Sequence, residues 1–149
     1  MTDTETGFRP DLSVVMPCLN EEANLAFCVR EAQAYLAERG LNGEILVVDN
    51  GSTDRSAAIA ASCGAVVVSE PRRGYGRALR TGLSRPALER LELHTDGMEF
   101  ATELIAEAAR KGLRIGEAPV PLRKSRYARK PKLRTFRDGF RHLRYILKS

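Results

Sequence analysis

Two stretches decide the fold, 13-SVVMPCLNEE-22 and 45-ILVVDNGSTD-54. Each is an apolar run of strand length that ends at polar, turn-forming residues and leads into a helical pattern. Open α/β sheets bind their ligands at the carboxyl ends of parallel strands. We therefore expect two polar loops side by side at one edge of a parallel sheet, where they can form a binding site.

The rest of the chain alternates between strand and helix patterns. We predict strands at 12–16, 44–48 and 65–69, helices at 23–39, 75–83 and 99–111, a further helix ending at 63, and an edge strand at 113–120. Asn20 is predicted to cap the first helix, and Ser52 or Thr53 the second. Gly40 and Gly64 mark the ends of these helices. Strands separated by helix-length segments predict right-handed βαβ crossovers, so the expected fold class is α/β, a mostly parallel sheet with flanking helices.

At the two quoted stretches the chain resembles the family 2 glycosyltransferases of GT-A fold, the Rossmann-like fold of nucleotide-diphospho-sugar transferases. It is similar above all to the polyprenyl-phosphate sugar synthases of the dolichyl-phosphate mannose synthase type. The resemblance implies that residues at the two strand ends bind the nucleotide, and the family aspartate that matches Asp49 recognises the base. The implied nucleotide-binding residues are Pro17, Leu19, Asn20, Glu21, Asp49 and Asp54. For the first stretch taken alone, a helix cap with solvated acids is the alternative.

Charged residues further along the chain match the diphosphate and catalytic positions of the family. The resemblance implies diphosphate binding by Arg73, Gly74 and Arg123, and catalytic roles for Asp96 and Glu99. Cationic side chains and exposed backbone amides suit a diphosphate. The diphosphate residues have a purely structural alternative, because basic surface turns are common. The two acids have one as well, because the helix dipole favours acids at a helix N-terminus.

The sequence changes character around 84–87, where two family-like blocks meet. In the family, a strand ending in the metal-binding Asp-x-Asp motif and an acceptor-binding stretch lie between these blocks. The present sequence contains no Asp-x-Asp. The resemblance implies Mg²⁺ or Mn²⁺ as cofactor, but no metal ligand is assigned because the motif is absent, and the GT-A fold is expected to be truncated in the middle.

By resemblance, the reaction transfers a sugar from a UDP- or GDP-linked donor to a polyprenyl-phosphate-type acceptor, with inversion at the anomeric carbon. Because the metal motif and the acceptor region are missing, a non-catalytic nucleotide-binding remnant or scaffold is the alternative. A basic nucleic-acid binder is disfavoured, since the aromatic residues of the basic tail are spaced for a packed helix rather than for stacking on bases.

Composition is ordinary for a globular protein. With 149 residues, 43% hydrophobic and 29% charged, the chain supports one domain, which we assign to residues 1–122. No apolar run is long enough to span a bilayer, and residues 1–10 do not resemble a signal peptide. Three cysteines at no metal spacing predict free thiols in a reducing cytoplasm. Cys18 lies beside the expected site, but no histidine is near it in sequence to activate the thiol.

Residues 123–149 are expected to form a basic loop and an amphipathic helix. Between 123 and 148 there are eleven Lys or Arg and one acid, Asp138, so this segment carries +10 and the remainder −5. The apolar residues at helical spacing are Phe136, Phe140, Leu143 and Leu147. A basic amphipathic helix is typical of proteins that bind an anionic membrane surface, which predicts peripheral association at the cytoplasmic face. Packing of the apolar stripe on the core is the alternative.

Overall fold

The computed structural model describes residues 10–83, 91–112 and 143. Its contacts divide the chain into two compact units, residues 1–71 and 72–149. This division comes earlier than the predicted boundary between residues 122 and 123, which lies outside the described residues. The predicted junction at 84–87 and the predicted strand at 113–120 also lie outside them.

The first unit is a parallel sheet with two helices in the connections. Its elements in chain order are β1 (Leu12–Cys18), α1 (Leu25–Glu38), β2 (Gly43–Asp49), α2 (Ser56–Ser62) and β3 (Val66–Ser69). The strands lie in the order β1-β2-β3, and both neighbouring pairs are parallel. The α/β class with a parallel sheet and flanking helices is therefore confirmed.

The register of the sheet brings the three strand ends level. Cys18 lies opposite Asp49, and Asp49 lies opposite Ser69. Val47 and Val48 of the central strand are fully buried, as a strand covered on both faces should be. Full burial of such a side chain contributes roughly 1.5–3 kcal/mol, so the central strand anchors the edge where the polar loops begin.

Both helices of the first unit begin later than predicted. The helix α1 starts at Leu25, with Asn24 rather than Asn20 before it, and α2 starts at Ser56 after Arg55. The prediction that Asn20 caps the first helix was wrong, and so was the prediction of Ser52 or Thr53 for the second. Their polar groups bond across to the opposite loop instead. The helix ends are as predicted, since Gly40 and Gly64 have φ of 59° and 81°.

The second unit contains two described helices, α3 (Tyr75–Gly82) and α4 (Phe100–Arg110). They approach closely at Gly76, where an added Cβ would lie 2.6 Å from Cβ of Phe100 and 2.8 Å from the carbonyl carbon of Asp96. The backbone N–H of Gly76 also donates to the carbonyl oxygen of Asp96 at 3.2 Å. Across the described parts of the chain, no helix has the length and apolar character required to cross a membrane.

Candidate functional site

Two polar loops lie at the carboxyl edge of the sheet. The first loop (residues 19–24) connects β1 to α1, and the second loop (residues 50–55) connects β2 to α2. Because β1 and β2 are parallel neighbours, the loops start next to each other. The backbone N–H of Asn50 donates to the carbonyl oxygen of Cys18 at 2.8 Å, which continues the strand pairing into the loops.

Asn20 joins the two loops. Its backbone N–H donates to Oγ of Ser52 at 3.0 Å. Its side-chain Oδ1 accepts from the backbone N–H of Thr53 at 2.8 Å and from the Thr53 hydroxyl at 3.4 Å. Asn20 is also the one described non-glycine residue with positive φ, 54°, a conformation that asparagine tolerates better than most residues.

Ser56 and Asp54 form a second connection. Ser56 is fully buried, and its Oγ accepts from the backbone N–H of Glu21 at 2.8 Å while it donates to Oδ1 of Asp54 at 2.5 Å. The other carboxylate oxygen of Asp54 accepts from the backbone N–H of Glu22 at 3.2 Å. Partial burial opposes the effect, but the hydrogen bonds donated by Ser56 and by the Glu22 backbone lower the pKa of Asp54. Both oxygens of Asp54 therefore bond to the protein itself.

Asp49 ends the central strand and is half-buried. Its Oδ1 accepts from the backbone N–H of Ser52 at 3.2 Å, which closes the turn of the second loop. The next residue, Asn50, is 5% exposed, and its side-chain amide donates to the carbonyl oxygen of Glu70 at 2.8 Å. These bonds fix the base of the second loop to the strand that precedes it and to the segment after β3.

Cys18 lies below the loops and is 2% exposed. Burial raises the pKa of its thiol, while hydrogen bonds with Ser56 and Ser52 oppose the rise. A thiol with a raised pKa stays protonated at neutral pH, and the thiolate is the nucleophilic form. This environment favours a packing role for Cys18 over a nucleophilic one.

In the second unit, Asp96 forms an ion pair with two arginines of α3. Oδ2 of Asp96 lies 3.0 Å from both Nε and Nη2 of Arg77. Nη2 of Arg80 lies 3.9 Å from Oδ1 of Asp96 and donates to the carbonyl oxygen of Thr95 at 2.9 Å. The Arg80 guanidinium also sits 5.3 Å from the centroid of the Phe100 ring, in cation–π range. The Asp96 carboxylate therefore holds the two arginines in place.

The other predicted catalytic acid, Glu99, directly precedes α4 and is 6% exposed. One helical turn later, the buried Glu103 accepts the backbone N–H groups of His94 and Thr95, each at 2.8 Å. Burial opposes ionisation of Glu103, but these bonds and the Thr95 hydroxyl lower its pKa. Glu103 thus fixes the segment that carries Asp96 and Glu99.

The predicted diphosphate residues are only partly described. Arg73 is exposed, and Gly74 directly precedes α3. Arg123 lies outside the described residues. The role of these three residues stays a prediction.

The described residues do not fit a dedicated site for a divalent metal. Such ions need several carboxylate oxygens turned towards one point, and within 10–83 and 91–112 no group of three His, Cys, Asp or Glu side chains is arranged to hold one. Two carboxylates that could serve as metal ligands are already bonded to the protein. Asp54 accepts from backbone N–H groups, and Asp96 pairs with Arg77.

The first unit brings Asn20, Glu21 and Asp54 into one bonded group. Sequence reasoning missed Ser56 and the arginines Arg77 and Arg80. Asp54 and Ser56 had a readable signal, because an aspartate side chain often accepts from the backbone N–H two residues later, as Asp54 does from Ser56. The arginines had no comparable signal, since their partner Asp96 is far from them in sequence.

Comparisons with known proteins agree with this architecture. Residues 13–86 match the family model described as glycosyl transferase family 2. Low-salt glycan biosynthesis hexosyltransferase Agl6 of Haloferax volcanii is 26% identical over 232 residues, which take in 99% of this chain and 55% of that protein. Since this chain has 149 residues, a long segment of that relative has no counterpart here.

Two further proteins each match a little less than half of the chain. The undecaprenyl-phosphate 4-deoxy-4-formamido-L-arabinose transferase of Pseudomonas aeruginosa is 41% identical over 71 residues, 44% of this chain and 21% of that protein. The structure of glucosyl-3-phosphoglycerate synthase from Mycobacterium tuberculosis with Mn²⁺ and UDP-glucose is 35% identical, with a TM-score of 0.40, over 47% of this chain and 27% of that one. This chain thus spans about half of the hexosyltransferase and less of the other two. Through its two strand-end loops, the matched part of the chain, residues 13–86, belongs to glycosyltransferase family 2.

Proposed function

We propose that the first unit binds the nucleoside diphosphate of a UDP- or GDP-linked sugar at the two loops. The reaction that such a site serves in the family is transfer of the sugar to a polyprenyl-phosphate-type acceptor with inversion. The relative named as a hexosyltransferase supports sugar transfer. The relative named as an undecaprenyl-phosphate 4-deoxy-4-formamido-L-arabinose transferase supports this acceptor class. Within the family, we propose that the chain belongs to the dolichyl-phosphate mannose synthase type.

The observation that carries the proposal is the joining of the two loops at the carboxyl edge of a parallel sheet. This edge is where open α/β sheets bind ligands. Asp49 lies at the base of the joined loops, and within residues 10–83 its Oδ2 makes no hydrogen bond, while Oδ1 holds Ser52. A carboxylate oxygen accepts hydrogen bonds, so Asp49 suits the N–H edge of a uracil or guanine base.

The remaining residues are assigned by the chemistry that the reaction requires. Pro17, Leu19 and Glu21 would line the nucleotide side of the first loop. Negative charge grows on the leaving diphosphate and must be neutralised, a role that we assign to Arg73 and Arg123 with the backbone at Gly74.

The acceptor needs little help from a base, because a phosphate oxygen is already ionised at neutral pH. Asp96 and Glu99 remain the proposed catalytic acids. The ion pair between Asp96 and Arg77 suits a role in orienting the arginine. No step is assigned to a metal ion.

Calorimetric titration of UDP and GDP tests the nucleotide site. We expect one of them to bind the wild-type chain and Asp49→Asn to weaken that binding at least tenfold, about 1.4 kcal/mol. The matched control is Glu44→Gln, on the same strand, where the carboxylate accepts from the Ser13 hydroxyl at 2.6 Å. Absence of binding by both nucleotides, or equal losses in the two variants, would contradict the proposal.

A further inference from the structure

We propose that Asn20 and Ser56 are positioning residues that hold the two loops ready for the nucleotide without touching it. This inference rests on the proposed nucleotide site and reassigns Asn20 within it. We call the bonded group of Asn20, Ser52, Thr53, Asp54 and Ser56 the loop clamp. It lies entirely within the first unit.

The chemistry of Asn20 favours this role. The Thr53 backbone N–H can only donate, so the atom that faces it at 2.8 Å must be the amide oxygen of Asn20. The backbone N–H of Asn20 is engaged as well, since it donates to Oγ of Ser52. Two of the four polar groups of this residue, the backbone N–H and the side-chain oxygen, are therefore bonded to the opposite loop.

The burial of Ser56 gives independent support. Ser56 is 0% exposed, so no nucleotide can reach its hydroxyl. That hydroxyl accepts from the Glu21 backbone, whose carbonyl oxygen in turn accepts from the backbone N–H of Leu25 at 2.9 Å. The buried hydroxyl thereby links the first turn of α2 to the first turn of α1, and Glu21 is held in one backbone position.

A preformed site binds more tightly because less order is lost when the ligand arrives. Loss of the clamp should therefore weaken the binding of UDP and of GDP by the same factor. Loss of a residue that contacts the base should change the ratio of the two affinities instead. This difference separates Asn20 and Ser56 from Asp49.

Three substitutions at Asn20 separate the contribution of its acceptor oxygen from that of its tolerance of positive φ. Asn20→Gly keeps the positive φ without strain but removes the acceptor oxygen. Asn20→Ala removes the oxygen and adds strain, while Asn20→Asp keeps both the oxygen and the tolerance of positive φ. Asn20 is exposed, so these variants should fold even where Ser56→Ala does not.

Two measurements are made on each variant, amide hydrogen exchange without ligand and the Kd values for UDP and GDP. In Asn20→Gly we expect exchange of the Thr53 amide to rise about tenfold, as for the loss of one hydrogen bond. The Kd values for UDP and GDP should both rise by a common factor, also about tenfold. Asn20→Ala should raise the exchange rate and both Kd values further. In Asn20→Asp the Thr53 amide should exchange as slowly as in the wild-type chain.

The outcomes distinguish the two proposals. Unchanged Thr53 exchange in Asn20→Gly, or faster exchange with unchanged nucleotide affinity, overturns the positioning role alone. A changed ratio of UDP to GDP affinity in Asn20→Gly also overturns it, because it shows direct contact with the base. Absence of nucleotide binding by the wild-type chain overturns the proposed function and the positioning role with it.

Discussion

At the level of single residues, the polar side chains of the two loops bond mainly to the backbone of the opposite loop. Asp54 accepts from the backbone of Glu22 and Ser56, and Glu22 in turn accepts from the backbone N–H of Arg55 at 3.2 Å. A buried or half-buried N–H left without a partner costs about 1–3 kcal/mol. Polar side chains that the sequence suggested as ligand-binding groups therefore accept hydrogen bonds from the backbone N–H groups of the loops.

The lowered pKa of Asp54 makes the clamp sensitive to acid. Because the pKa is lower in the folded chain than in the unfolded chain, the charged carboxylate stabilises the fold above about pH 4, the ordinary aspartate value. That contribution is lost as the pH falls through the folded-state pKa. We expect the free energy of unfolding in urea to fall more steeply from pH 5 to pH 3 in the wild-type chain than in Asp54→Asn. Parallel pH dependences in the two proteins would contradict this assignment.

At the level of elements, the close approach of α3 and α4 depends on Gly76. We expect Gly76→Ala to destabilise the second unit by roughly 1–3 kcal/mol, because the new Cβ would overlap Phe100 Cβ and the Asp96 backbone, neither of which is the end of a flexible side chain. Amide exchange in α3 and α4 measures the effect.

Gly40→Ala is the control for this substitution. An added Cβ at Gly40 meets no atom within 4 Å, although its φ is +59°. It should destabilise its own helix end through backbone strain and leave exchange in α3 and α4 unchanged. If Gly76→Ala leaves exchange in the second unit at the wild-type rate, the two helices do not depend on this contact.

The sequence predicted the existence and order of these elements because their signals are local. Apolar runs give the strands of the first unit, and Gly40 and Gly64 end the helices. The helix starts were misplaced because Asn20 and Ser52 bond to partners about thirty residues away, which local patterns do not contain. The Arg77–Asp96 pair was missed for the same reason, being separated by nineteen residues. The two strand-end loops were recognised by family resemblance, and their mutual bonding required the structure.

At the level of the whole molecule, this chain spans about half of the hexosyltransferase relative and about a fifth of the undecaprenyl-phosphate sugar transferase. The family match ends at residue 86, next to the junction that we predict at 84–87, and 99% of the chain matches only 55% of the hexosyltransferase. The sequence contains no Asp-x-Asp, and the described residues do not fit a metal. We therefore propose nucleotide binding for this chain together with weak or absent catalysis.

This proposal predicts that sugar transfer is at least about a hundredfold slower than in a full-length relative, as for the loss of one group that stabilises developing charge. The test is single-turnover transfer from UDP- and GDP-linked sugars to a polyprenyl phosphate, with and without Mn²⁺. Nucleotide affinity should be the same with and without the metal. Rapid, metal-dependent turnover would show that the missing segment is dispensable.

The last prediction concerns the basic segment, residues 123–148, which carries +10. Leu143, the one residue of this segment that the structure describes, is 52% exposed, as expected if the apolar side of an amphipathic helix can meet a membrane. Each basic residue near an anionic surface contributes about 1 kcal/mol, and salt screens this attraction. We therefore expect reversible binding to anionic vesicles that weakens strongly between low and physiological salt.

Co-sedimentation with neutral and anionic vesicles measures this binding. The variant that changes Arg137, Arg141 and Arg144 to Gln should lose most of the binding, because it removes charge while keeping the apolar stripe. A variant with Arg30 and Arg39 of the first unit changed to Gln is a control for the loss of positive charge elsewhere in the chain, and it should bind like the wild-type chain. Equal partitioning to neutral and anionic vesicles, or equal binding by both variants, would show that the helix packs on the protein rather than on a lipid surface.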